Sequence, residues 1–139
     1  MSKQQLNIEY DYDFLLLGLV CQAKDYRLCF EVNKKLGVEF NKIDNTEIFL
    51  NKQNDASYFS TYLYENEDEI SFYIIFNRGT KNYLIPEQNK IDYFIVVKGP
   101  FRMEQKKELL SKLKEIKLIL GVYELDVKKL KSKENFILI

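Results

Sequence analysis

The run Phe14-Leu15-Leu16-Leu17-Gly18-Leu19-Val20-Cys21 constrains the fold of this chain more than any other segment. It is apolar at consecutive rather than alternate positions, lies between charged segments, and is too short to span a bilayer. A strand of that kind has to be covered on both faces, so Tyr12 to Cys21 is expected near the centre of a sheet. Gly18 brings no side chain to pack, which in a strand marks a bulge or the close approach of another element.

The pattern then changes period. Leu28, Cys29, Val32 and Leu36 recur at helical spacing, with Asp25 placed to cap the start and Gly37 to supply a left-handed stop. Val38 to Ile43 alternates, and Glu47 to Asn51 reads as a short edge segment. Ser57 to Glu65 and Ile70 to Arg78 form a hairpin around the acidic turn 66–69. Ile70, Phe72, Ile74 and Phe76 share one face of it, and Tyr58, Tyr62 and Tyr64 share one face of the first strand. Pro86 ends the pairing that follows, because it has no N–H to donate. Asp92 to Val97 is a second central strand. After the Gly99-Pro100 break comes a helix from Met103 to Ile116, whose buried stripe is Met103, Leu109, Leu110, Leu113 and Ile116. Leu118 to Leu125 returns as a strand and echoes the first run faintly, Leu-Ile-Leu-Gly-Val-Tyr beside Leu-Leu-Leu-Gly-Leu-Val.

Two strand–helix–strand halves around an inserted hairpin are closed most simply by an α+β fold. The form expected is a ferredoxin-like sandwich, an antiparallel sheet with two main helices on one face and the β-hairpin inserted. At 139 residues, 46% of them apolar and 30% charged, residues 1–139 make a single domain with a self-sufficient core.

Composition narrows the chemistry. The chain has no histidine, which removes Ser-His-Asp and Cys-His catalysis and imidazole metal sites together. It has neither a GxGxxG nor a GxxxxGK cradle for nucleotides. Lys+Arg and Asp+Glu balance at 21 each, so no net field draws the protein to nucleic acid or to an acidic membrane. Cys21 and Cys29 match no zinc or redox spacing and read as reduced thiols packed as small hydrophobes.

Carboxylates remain. Asp11 and Asp13 lie on one side of an extended segment, where a pair could hold a hard cation. A solvated strand edge is the preferred reading, and neither a cofactor nor a resident metal is expected. In Asp25-Tyr26-Arg27 the arginine occupies the first turn of a helix against the macrodipole, which calls for an anionic partner. Glu87 and Asp92 are the natural internal candidates. The expectation is that Arg27, Glu87 and Asp92 converge at one end of the sheet near Asp11 and Asp13. The tyrosine face could stack RNA bases, but its hairpin is acidic and poor in Lys/Arg, which favours packing or a protein interface. The run Lys128-Lys129-Leu130-Lys131-Ser132-Lys133 reads as a solvated face.

Ile85-Pro86-Glu87, three variable residues, then Ile91-Asp92-Tyr93 resembles the signature of the bacterial IPExxxVDY family, with isoleucine at the valine position. Asp11-Tyr12-Asp13-Phe14, Asp25-Tyr26-Arg27-Leu28-Cys29 and residues 129–135 are similar to that family as well. The resemblance implies a small cytoplasmic bacterial protein, and it brings no catalytic residues. The function expected is a non-enzymatic protein-interaction domain that self-associates as a homodimer. Two alternatives stay open: a small-molecule or divalent-metal-dependent enzyme using the clustered carboxylates Asp11, Asp13, Glu87 and Asp92, with Arg27 holding an anion, and an RNA-binding module.

Overall fold

The computed structural model describes residues 12–50 and 55–137. Six strands, β1 (Leu15–Val20), β2 (Asn41–Phe49), β3 (Ala56–Glu65), β4 (Ser71–Phe76), β5 (Tyr93–Lys98) and β6 (Gly121–Leu125), form one antiparallel sheet in the order β2-β3-β4-β5-β1-β6. Two helices, α1 (Asp25–Leu36) and α2 (Met103–Lys114), pack on it. The two echoing runs lie side by side as β1 and β6.

Consecutive apolar residues on β1 and β5 are explained by two cores, one on each face of the sheet. On one face Leu15, Leu17, Leu19, Tyr93, Ile95 and Val97 meet Leu28, Cys29 and Val32 of α1 and Leu109 and Leu113 of α2. On the other, Leu16, Ile75, Phe94 and Val96 meet a layer without regular strands or long helices: the 84–91 segment and residues 127–136. Phe136 is fully buried there and packs edge-on against Phe94, with ring centroids 5.3 Å apart. Burying such a ring contributes roughly 1.5–3 kcal/mol.

Local chemistry sets the boundaries. Asp25 is the first helical residue of α1, not its cap; the extended Lys24 takes that place. Gly37, at φ 68°, ends the helix in the left-handed region as its sequence position predicts. Asn33 then ties the helix end to the sheet, its Oδ1 accepting the Phe40 N–H at 2.7 Å. The two segments expected around residues 38–51 are one bulged strand, β2, whose pairing with β3 slips between Ile43 and Thr46. Met103, expected in the buried stripe of α2, is 58% exposed, because it opens the helix clear of the sheet.

Gly18 marks a close approach. A Cβ built on it would lie 2.9 Å from Ile91 Cδ1, so the strand gives up a side chain to seat Ile91 against its backbone.

Candidate functional site

The residue pair Asp92-Tyr93 opens β5 and pins the turn between β1 and α1. Asp92 Oδ2 accepts the Cys21 N–H at 2.7 Å, and the Asp92 N–H donates to the Leu19 carbonyl at 2.8 Å. The fully buried Tyr93 donates its hydroxyl to the Ala23 carbonyl at 2.6 Å and stacks on Phe76, with centroids 4.8 Å apart. From the helix side, Asp25 accepts the Ser60 hydroxyl of β3 on one oxygen and the Tyr26 N–H on the other. Asp25 and Asp92, the Cys21 and Cys29 thiols, and the Tyr62 and Tyr93 phenols are gathered at one end of the helix-facing core.

Their electrostatics favour neutral, protonated neighbours. Burial pushes the Cys21 thiol up, opposed by a hydrogen bond to Ala23 and reinforced by the Asp92 charge. Burial does the same at Cys29, where a hydrogen bond from Asn33 opposes it. Since the thiolate is the reactive form, these are packing groups at neutral pH. Burial, then the Asp25 charge, raises Tyr62 to about 12. Burial, then the charges at Cys21, Asp25 and Asp92, raises Tyr93 further still.

A second junction lies on the opposite face. Pro86 opens a 3-10 turn, Pro86–Gln88, and Glu87 reaches from it to residue 132. The Ser132 N–H and hydroxyl donate to the two Glu87 oxygens at 2.7 and 2.9 Å. Partial burial pushes the Glu87 carboxyl up, but the Ser132 hydrogen bonds prevail and hold it below its ordinary value. Asn135 Nδ2 donates to the Leu84 carbonyl at 2.7 Å, the Lys133 ammonium lies 5.1 Å over the Tyr12 ring, and Lys128 pairs with Asp13 at 3.2 Å.

Beneath this junction is a residue that the sequence reading missed. Asn77 is fully buried, donates to the Gln88 and Ile91 carbonyls at 3.0 and 2.8 Å, and accepts the Ile85 N–H at 2.9 Å. Its main chain accepts from Leu84 and donates to Asp92. The available signal was a polar residue in phase with Tyr73 and Ile75 on a face otherwise buried.

The expected clasp of Arg27 with Glu87 and Asp92 is not formed. Among the described residues no ion pair joins Arg27 to either acid. For Glu87 the sheet explains why, since α1 covers one face and Glu87 belongs to the layer on the other; Asp92 instead takes the Cys21 N–H. Arg27 instead lines an open groove with Lys34, Lys35, Glu115 and Lys117, where Lys35 holds Glu115 at 2.7 Å. Asp11 lies outside the described residues, and among those described no three His, Cys, Asp or Glu side chains are placed to hold a metal ion. Of the tyrosines proposed to stack bases, Tyr62 is buried against α1, Tyr64 packs between Phe40 and Phe72, and only Tyr58 is exposed. No helix among the described residues is long and apolar enough to cross a membrane.

Comparison of the chain with protein-family models finds none that matches. Comparison with curated proteins likewise finds no match.

Proposed function

We propose that the protein is a non-enzymatic protein-interaction domain that self-associates through the free edge of β2. The carrying observation is the overhang of the sheet. β2 pairs with β3 on one side and, among the described residues, has no strand on the other, along nine residues. Phe49, which ends β2, and Tyr58, paired with Glu47 from β3, are 58% and 43% exposed. An unpaired edge that carries exposed aromatics is a template for strand addition, and a copy of the same edge is the commonest partner in symmetric assemblies.

The polar junctions support a binding domain over an enzyme in a positive sense. Asp25, Glu87 and Tyr93 spend their oxygens, and Asp92 one of its two, on the chain's own hydroxyls and main chain. Groups committed in that way position elements, whereas a catalytic acid or base has to present an oxygen to a substrate.

We read the fold as a ferredoxin-like sandwich, with β6-β1-β5-β4 and the two helices as its body; the hairpin expected as the insertion, residues 57–78, is β3–β4, of which β4 belongs to that body, so the insertion in this reading is β2–β3. Membership of the IPExxxVDY family is part of the same proposal. It is supported by the way the segments that resemble that family meet: residues 25–29 with 92–93, and residues 85–87 with 129–135 and 12–14. Buried free thiols suit a reducing, cytoplasmic setting.

Sedimentation velocity across a concentration series tests the function. A monomer–dimer equilibrium is expected. A strict monomer at concentrations up to about 1 mM, beyond the range of weak specific association, discards self-association.

A further inference from the structure

Resting on the reading of β2 as a self-association edge, we propose that its bulge sets one antiparallel register, in which Lys42 of each copy pairs with Glu47 of the other. Ile43 pairs with Thr61 and Thr46 with Phe59, so Asp44 and Asn45 together oppose Ser60. One extra residue slips the side-chain alternation by one. Lys42 and Glu47, five positions apart, would point to opposite faces of a regular strand. Across the bulge they share a face, since Lys42 pairs with Tyr62 and Glu47 with Tyr58. Both are exposed.

A dyad between Asp44 and Asn45 then satisfies everything the edge presents. Lys42 meets Glu47 of the second copy twice, Ile43 meets Thr46 on the other face, and Asp44 lies opposite Asn45 instead of its own copy. Two short ladders result, residues 41–43 against 46–48 on either side of the paired bulges. Moving the register by one residue sets Asp44 against Asp44, or Lys42 against Ile48, and in each case sets side chains from opposite faces against one another. A charged, bulged edge resists pairing with strands at large. This one is complementary to itself, which converts a guard into a selector.

The present contacts of the two side chains leave the pairing available. The Lys42 ammonium donates to the Ile43 carbonyl and to Asn45 Oδ1 at 2.8 and 2.6 Å, and lies 5.8 Å over the Tyr62 ring. Glu47 accepts from the Tyr58 hydroxyl at 3.3 Å. All these partners are neutral, and each charge gains a stronger one in the other.

Charge exchange tests the register. Lys42→Glu and Glu47→Lys, each alone, place like charges opposite and are expected to weaken the dimer about tenfold or more. The double variant Lys42→Glu/Glu47→Lys is expected to return to within about threefold of the parent. Circular dichroism checks that each variant is folded, and recovery in the double variant excludes general damage at these positions. Single variants that dimerise like the parent, or a double variant as weak as the singles, overturn the register while self-association stands. A parent chain that stays monomeric overturns both.

Discussion

Truncating Asn77 to alanine strips partners from the Ile85 N–H and from the Gln88 and Ile91 carbonyls. Each buried main-chain group left unsatisfied costs about 1–3 kcal/mol, partly recovered by relaxation, so Asn77→Ala is expected to lose about 3 kcal/mol in urea unfolding. Asn77→Asp should be no better, since a carboxylate would face two carbonyls. Asn77 was legible only as an interruption of a buried stripe, because a sequence does not print which main-chain groups need a partner. The same limit misplaced Arg27. Pairing charges by sign sent it to Glu87 and Asp92, but the partners of those acids are the Ser132 N–H and hydroxyl and the Cys21 N–H.

Among the elements, those with a strict period were the readable ones. The residues of α1 fell at helical spacing, and the β3–β4 hairpin alternated with its faces as expected. β2 read as two pieces because the bulge shifts its period in mid-strand. The layer formed by residues 84–91 and 127–136 has no period, so its role as the second cover of the sheet lay outside any pattern of spacing. Glu87 and Ser132 join its two halves, and that joint should depend on pH. The Glu87 carboxyl titrates below its ordinary value of 4.5, so its contribution is present above that value and is lost as the pH falls through the depressed folded one. Glu87→Gln is expected to flatten the acid limb of a stability–pH curve below about pH 4.5 and to leave its slope at neutral pH unchanged. Chemical denaturation at stepped pH measures this.

For the molecule as a whole, the cover over the sheet is uneven. Leu16, Leu17, Leu19, Phe94 and Val96 are fully buried between the two layers, while β2 is the outermost strand and its outer edge is open among the described residues. Opening free energies should follow that gradient. In dilute solution the amides of β1 and β5 are expected to exchange with deuterium only through global unfolding, and the outward amides of β2 to exchange first. Raising the protein concentration should slow the β2 amides selectively, and equal slowing everywhere would place association elsewhere. An antiparallel α+β sheet with helices on one face was within reach of the sequence, since β1 and β5 demanded cover on both sides and α1 and α2 could supply only one. The strand order was not, because the side-chain pattern of a strand gives its faces and does not declare its neighbours.

The contact between Gly18 and Ile91 reaches beyond this one chain. The atom nearest to a Cβ at position 18 is Ile91 Cδ1, the methyl that a valine lacks. Among related sequences the two positions should therefore covary: isoleucine at 91 with glycine at 18, and alanine at 18 favoured where 91 is valine, whose remaining carbons, at 3.1 and 3.2 Å here, need to give by only a few tenths of an ångström. A substitution in the buried cover segment at residue 91 would then be recorded in the middle of a strand 73 residues away, as a coupled pair of alignment columns.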